Sequence, residues 1–161
     1  MRNKYRIIGC IGAMSILVST NVFGAEFYNG HKYELIDESM SWTEAKAYCE
    51  KLGTVTSQEE NQFLTNMLLE KGTKNQYWLG GEYHDKVGSW ITGEEFKYTN
   101  ITDYDFNNID DQPYLQLCRE HPSYSDQHVV LGAWVDNADY GMPGTEWDNA
   151  YAGLIVIGFL A

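Results

Sequence analysis

The segment from Tyr77 to Phe96, which reads YWLGGEYHDKVGSWITGEEF, constrains the fold more than any other part of the 161-residue chain. It places two tryptophans among glycines, tyrosines and short apolar pieces, and no helical period of apolar residues runs through it. Short aromatic or aliphatic runs that are separated by turn residues are typical of successive β-strands. The segment therefore predicts a turn-rich β meander with aromatic side chains in its core.

Two amphipathic helices are predicted ahead of this meander. Ser41-Trp42-Thr43-Glu44 is a capping box, in which the serine and glutamate side chains each pair with a free backbone N–H. Gly53 is expected to end this first helix. Its apolar residues recur at helical spacing: Trp42, Ala45, Cys49 and Leu52. A second capping box, Ser57-Gln58-Glu59-Glu60, starts a helix that is expected to end at Gly72. Its apolar face consists of Phe63, Leu64, Met67 and Leu68.

Strands are predicted before and after the helices. Asn29-Gly30 lies between aromatic residues and tolerates positive φ at two consecutive positions, which is typical of a tight hairpin. Five apolar runs beyond Gly72 predict strands at 77–79, 89–91, 96–98, 114–117 and 154–157. The polar segments 100–114 and 118–151 have no clear period and are expected to be long loops, which are usually functional or disordered.

Residues 1–25 are predicted to be a secretory signal peptide, and residues 26–161 a single domain. Arg2, Lys4 and Arg6 precede an uncharged run, and the small residues Gly24-Ala25 provide a cleavage point before Glu26. This pattern predicts a secreted, extracellular protein with no stable membrane insertion once the signal is removed. The style of the leader and the low cysteine content indicate a bacterial source.

The charge balance of the predicted domain excludes several classes of partner. Three of the 11 basic residues lie in the leader, so residues 26–161 keep 8 Lys and Arg against 23 Asp and Glu, a net charge of −15. Nucleic acids and anionic membranes are bound through basic patches. The sequence therefore excludes both and favours neutral or cationic partners such as sugars, metal ions and basic peptides.

No catalytic constellation is evident. The sequence contains no Gly-x-Ser-x-Gly, His-Glu-x-x-His or phosphate-binding loop, and the protein is not expected to be an enzyme. His121 and His128 can join Asp126 in a metal site, although such loop histidines are more often solvated.

Cys49 and Cys118 can form a disulfide outside the cell. In the chain-entropy model, this disulfide stabilises the folded protein by about 4 kcal/mol.

The order of elements and several short motifs resemble the C-type lectin-like domain. Residues 33–49, YELIDESMSWTEAKAYC, resemble its first strand and first helix, and residues 51–61, KLGTVTSQEEN, resemble the entry to its second helix. Trp78-Leu79-Gly80-Gly81 is similar to its Trp-Ile-Gly-Leu signature, and Trp90 to Phe96 match its Trp-x-x-Gly-x-x-Phe string. The resemblance implies an α+β fold, with two helices packed on small antiparallel sheets and Trp78 and Trp90 in the core beneath a long loop region.

The resemblance also implies a ligand site. In sugar-binding members, a Glu-Pro-Asn triplet in the long loop and Asn-Asp after a later tryptophan hold calcium, and sugar hydroxyls complete its coordination. The triplet falls on Asp105-Phe106-Asn107, while Gln112-Pro113-Tyr114 is a rival alignment in which tyrosine replaces the acid. The predicted ligand-binding residues are Asp105, Asn107, Asp111, Gln112, Trp147, Asp148 and Asn149, and the predicted calcium ligands among them are Asp105, Asn107, Asp148 and Asn149.

The tryptophan motif has two candidates. Gly132-Ala133-Trp134-Val135-Asp136 has the spacing of the family pattern but places valine where the asparagine ligand belongs. Trp147-Asp148-Asn149 has both residue types in reversed order, and it is preferred because its distance to Gly158-Phe159 fits better. Aromatic residues in the two loops are expected to stack on sugars or to anchor a protein: Tyr104, Phe106, Tyr124, Trp134, Tyr140, Trp147 and Tyr151.

The sequence departs from the family pattern at four places. Phe106 replaces the proline of the triplet, Gly53 joins Thr54 directly with a shortened connection, Tyr114 replaces the loop cysteine, and Ala161 stands where the C-terminal cysteine belongs. The resemblance as a whole implies a secreted carbohydrate-binding module, which recognises glycans through its loops with calcium as a possible cofactor. The alternative is a calcium-independent adhesin or protein-interaction domain of the same fold.

Overall fold

The structure, a computed structural model, describes residues 24–48, 51–102, 112–119, 131–139 and 153–159, the last range as backbone. Within these ranges the helices are α1 (Trp42–Tyr48) and α2 (Gln58–Lys71). The strands are β1 (Glu26–Tyr28), β2 (His31–Ile36), β3 (Gln76–His84), β4 (Val87–Trp90), β5 (Tyr114–Cys118), β6 (Trp134–Asn137) and β7 (Gly153–Phe159). Neither of these two helices is long and apolar enough to cross a membrane.

The strands form one mixed sheet that consists of two antiparallel groups. β1, β2 and β7 form the first group, and β4, β3, β5 and β6 form the second. A short parallel pairing of Tyr77 and Trp78 with Gly153 and Leu154 joins the two groups through β3 and β7. This arrangement confirms the predicted α+β class, with two helices and small antiparallel sheets.

Local chemistry explains the hairpin and the starts of both helices. Asn29 (φ +46°) and Gly30 (φ +86°) form the two-residue turn between β1 and β2. At α1 the capping box is reciprocal, with Ser41 N–H donating to the Glu44 carboxylate (2.8 Å) and Glu44 N–H donating to the Ser41 hydroxyl (3.1 Å). At α2 only one half forms, in which Glu60 N–H donates to the Ser57 hydroxyl (3.1 Å).

The Glu60 carboxylate instead fixes the β1–β2 hairpin to α2. One oxygen accepts hydrogen bonds from the Tyr33 hydroxyl and His31 Nδ1 (2.9 Å), and the other from the Thr56 backbone N–H (2.7 Å) and hydroxyl (2.8 Å). Its side chain is 1% exposed. Burial by itself raises the pKa of Glu60, but the four hydrogen bonds outweigh burial and hold this pKa below its ordinary value. Glu60 is therefore an ionised group inside the domain.

The predicted aromatic core is confirmed. Trp42, Trp78 and Trp90 are 3%, 0% and 4% exposed. Trp78 packs with Trp42 and Leu52 on the α1 side of the sheet, whereas Trp90 packs with the apolar residues of α2 on the other side. Trp42 Nε1–H donates to Leu79 O (3.0 Å) and Trp78 Nε1–H to Met40 O (2.8 Å). The indoles therefore join α1 and the segment before it to β3.

Three sequence-based predictions of elements were wrong. α1 does not reach Leu52, because residues 52–55 form a buried extended connection in which Gly53 O accepts from Gly80 N–H (2.9 Å). Residues 96–98 are not a strand; Phe96 packs its ring against Trp90 (centroids 5.0 Å apart) instead of entering the sheet. The segment 118–151 is not loop throughout, because it contains β6.

Candidate ligand-binding site

Both ends of the segment 103–111 lie beside β6. On the incoming side, Trp134 N–H donates to Asn100 O (2.8 Å) and Thr102 N–H donates to Trp134 O (3.0 Å), so residues 100–102 run along the edge of β6. On the outgoing side, Pro113 O accepts from Tyr83 N–H (2.8 Å), and Tyr114 pairs with Asn137 of β6. The long loop thus leaves and re-enters the described fold next to β6.

The polar residues of β6 lie at this root of the loop. Asp136 and Asn137 are 5% and 7% exposed, respectively. Asn137 Nδ2 donates to Gln116 Oε1 of the neighbouring strand (3.3 Å). Carboxylate and amide oxygens are the donors that calcium prefers, so the chemistry of this strand fits a calcium site. The described residues hold no group of three or more His, Cys, Asp or Glu that could bind a metal.

Trp134 has a structural role and is not an exposed stacking surface. It is 0% exposed, and its ring lies edge-on to Trp90 (5.5 Å between centroids) and Tyr98 (5.6 Å). The expectation that Trp134 stacks on a sugar or a protein was therefore wrong. Val135, its neighbour, is 1% exposed and has no oxygen donor on its side chain.

Among the seven predicted ligand-binding residues, Gln112 is the one that the described ranges include. It is half-buried at the start of the segment that leads into β5. Asp105, Asn107, Asp111, Trp147, Asp148 and Asn149 lie outside the described residues, as do Cys49, His121, Asp126 and His128. Their roles remain predictions. The structure describes the rival tryptophan motif, residues 132–136. Its Trp134 and Asp136 lie on β6, the strand that both ends of the loop contact.

The segment after β6 is tied to the start of α1. Asp139 Oδ1 accepts from Thr43 N–H (2.6 Å), and Asp139 O accepts from Trp42 N–H (3.0 Å). Tyr114, at the position of the family's loop cysteine, stacks on Trp42 with centroids 4.1 Å apart. Burial, followed by the charges of Asp139 and Glu82, raises the pKa of Tyr114. These non-covalent contacts hold the root of the loop region against α1.

Replacing Asp139 by alanine is expected to lower the free energy of unfolding by about 1 kcal/mol, because the carboxylate that accepts from Thr43 N–H at the start of α1 is lost. Asp139→Asn keeps an oxygen acceptor and should lose less. Chemical denaturation of the two variants and the wild type measures the difference. Equal losses for alanine and asparagine would contradict a capping role.

Sequence reasoning missed three residues that hold this site together. Asn61 on α2 contacts both Gly132 and Trp134, Asn100 contacts Gly132, and Asp139 caps α1. Lone asparagines carry no periodic signal, and the partners of these residues are 32 to 96 positions away. The sequence held one signal for this region, the Gly-Ala-Trp motif at residues 132–134. Its glycine, Gly132, has a positive φ (+83°), which glycine adopts readily.

A family model for the lectin C-type domain matches residues 38–130, which is more than half of the chain. The chain belongs to the C-type lectin domain family. Members of this family are binding proteins. One relative is a lectin of Pleurodeles waltl, which is 29% identical over 113 residues that cover 65% of this chain. The alignment spans 61% of that relative's own length.

Solved structures support the same C-type lectin fold. The C-type lectin CEL-I from Cucumaria echinata matches with a TM-score of 0.67 and 19% identity, over 84% of this chain and 96% of that chain. A calcium-independent type II antifreeze protein matches with a TM-score of 0.63 and 18% identity, over 84% and 92% of the two chains. At these identities the likeness concerns the fold, which confirms the fold that the motifs implied.

Proposed function

We propose that this C-type lectin domain protein is a secreted carbohydrate-binding module that recognises glycans through its long-loop region. Residues 1–25 are its signal peptide, and residues 26–161 are the binding domain that reaches the extracellular space. The observation that carries the proposal is the root of the loop: the incoming end of the segment 103–111 contacts β6 at Trp134 and the outgoing end at Asn137, on the strand that also holds the buried Asp136. The proposed activity is binding without catalysis.

Calcium is the proposed cofactor. Asp105 and Asn107 of the first loop supply carboxylate and amide oxygens to the ion, and either Asp148 with Asn149 or Asp136 supplies the remainder. Asp111 and Gln112 contact the bound ligand. A bound calcium ion offers coordination positions to two adjacent sugar hydroxyls, because it takes six to eight oxygen ligands in flexible geometry. The side chains around it accept hydrogen bonds from the same hydroxyls. Aromatic side chains of the loops, such as Trp147, provide a face on which a sugar ring stacks.

A second candidate function is calcium-independent binding of a glycan or an extracellular protein. Two observations favour it: Phe106 replaces the proline of the triplet, and Val135 is buried where the pattern has an asparagine ligand. A cis peptide bond before a residue other than proline costs about 2.5–4 kcal/mol. With Phe106 in place of proline, the cis peptide bond of the family's triplet is therefore unfavourable in this loop. The similar calcium-independent antifreeze protein has the same fold. Nucleic acid is not a proposed partner of either candidate.

Calcium is expected to raise the melting temperature of the protein. A ligand that binds the folded state alone stabilises it by about 2.7 kcal/mol when its concentration is 100 times its dissociation constant. Thermal melts in calcium and in chelator measure the rise, and Asp105→Ala should abolish it. Asp148→Ala and Asp136→Ala decide between the tryptophan motifs, because only the variant that lacks a true ligand should lose the rise.

Glu70→Ala is the matched control, because it removes one exposed carboxylate from α2, away from the root of the loop. It should keep the full calcium effect. A glycan array in both buffers then tests the partner. Identical melts in calcium and chelator, with array binding that does not depend on calcium, would favour the second candidate. If the protein binds no glycan on the array in either buffer, the result would favour a protein-interaction domain.

A further inference from the structure

Four hydrogen bonds form a closed ring between α2, β6 and the segment that enters the long loop. Asn61 Nδ2 on α2 donates to Gly132 O (2.8 Å), and Asn100 Nδ2 donates to the same oxygen (2.7 Å). Trp134 N–H donates to Asn100 O (2.8 Å), and Trp134 Nε1–H donates to Asn61 Oδ1 (2.7 Å). Asn61 is the member of the ring that belongs to a helix.

Three of the four residues in the ring, Asn61, Gly132 and Trp134, are buried, whereas Asn100 is exposed. Asn61 is 6% exposed and Trp134 is 0% exposed. A buried hydrogen-bond network is rigid when every member is paired, and it is costly when one partner is removed. An amide is the side chain that fits here, since Asn61 must donate to a carbonyl and accept from an indole at the same time. Neither aspartate nor leucine can do both.

We infer that Asn61 is a positioning residue for the ligand-binding loop. It fixes Gly132 and Trp134 against α2, and through them it fixes Asn100, two residues before the last described residue of the loop root, Thr102. Asn61 itself does not touch the ligand. The inference rests on the proposed function for its effect on binding, but its effect on the loop root does not depend on that function.

The test compares Asn61→Leu and Asn61→Asp with Thr65→Val in the full chain. Leucine removes both amide contacts, whereas aspartate keeps the acceptor for Trp134 Nε1–H and loses the donor to Gly132 O. Thr65 lies one turn further along α2, is 3% exposed, and donates to Asn61 O within the helix (2.7 Å). Thr65→Val therefore removes a buried hydrogen bond of the same helix without breaking the ring.

Hydrogen exchange at the backbone amides of Thr102 and Trp134 is measured first, in denaturant concentrations that match the global stability of the variants. Exchange at both amides should be at least ten times faster in Asn61→Leu than in Thr65→Val, with Asn61→Asp between them. The calcium dissociation constant is then measured by titration calorimetry, and it should rise at least tenfold in Asn61→Leu and stay unchanged in Thr65→Val.

Equal exchange rates in Asn61→Leu and Thr65→Val would overturn the inference, as would faster exchange with unchanged calcium affinity. A wild-type protein that binds neither calcium nor any glycan would overturn the proposed function instead, and the exchange rates would still decide whether Asn61 fixes the loop root. If Asn61→Leu does not fold, the comparison of Asn61→Asp with Thr65→Val gives the same decision on both measurements.

Discussion

Replacing Glu60 by alanine is expected to lower the free energy of unfolding by about 3–5 kcal/mol, because removal of one partner from a buried charged network leaves the others unpaired. The Tyr33 hydroxyl, His31 and both donors of Thr56 converge on its carboxylate. Without it, the hairpin loses its buried polar attachment to α2 and keeps the Glu26–Lys71 ion pair, and several donors remain buried. Urea denaturation followed by tryptophan fluorescence measures the loss.

Glu59→Ala is the matched control, because it removes a carboxylate from the same helical turn at an exposed position. Its loss should stay below about 1 kcal/mol, the usual contribution of an acidic residue near a helix N-terminus. Equal losses for Glu59→Ala and Glu60→Ala would contradict the role of the buried network.

The pH dependence of stability gives a second measurement on the same residue. Burial raises the pKa of Asp37, but hydrogen bonds from Thr73 and Tyr77 outweigh burial and lower its pKa, as for Glu60. A carboxyl group whose folded pKa lies below its unfolded pKa contributes stability above the unfolded value, roughly pH 4, and loses it as pH falls through the folded value. The wild type should therefore lose stability below roughly pH 4, and Glu60→Gln should lose less over the same range.

Replacing Trp78 by alanine is expected to lower the free energy of unfolding by about 3–5 kcal/mol, which is typical of a buried tryptophan in a packed core. The ring is fully buried in one cluster with Trp42 and Leu52 on the α1 side of the sheet, and its indole N–H donates to Met40 O. The variant loses both the packing and the tie between β3 and the segment that precedes α1. Equilibrium unfolding measured by circular dichroism gives the change.

Trp78→Phe keeps a ring but loses the indole N–H, so its loss should be smaller than that of alanine. Val87→Ala is the control for an apolar residue outside the core, since Val87 is 68% exposed, and its effect should lie within about 0.5 kcal/mol. A loss for Trp78→Ala as small as that of Val87→Ala would mean that the aromatic core is not the main source of stability.

The elements that were predicted correctly are those whose structure depends on residues close to one another in the sequence. The hairpin needs only the positive φ values that Asn29 and Gly30 tolerate, and α1 needs only the reciprocal contact of Ser41 with Glu44. Elements that depend on distant partners were predicted less well. Leu52 continues the helical spacing of α1, but the pairing of Gly53 with Gly80 holds it in an extended connection.

β6 was missed for the same reason. The strand has only four residues, WVDN, and half of them are polar. They form a strand because β5 offers a pairing edge, with Leu115 opposite Asp136 and Leu117 opposite Trp134. The loop residues of the candidate site could be proposed from the resemblance alone, because a metal or sugar site assembled from separate loops has no local periodicity.

The place of β7 in the sheet sets a condition on how the chain folds. β7 lies between β2 and β3, and it pairs His31 with Phe159 and Tyr77 with Gly153. These contacts pair residues that are far apart in the sequence, and such distant pairings slow folding because a long loop must close before any contact compensates. During synthesis, β2 and β3 therefore each keep one unpaired edge until residues 153–159 have left the ribosome.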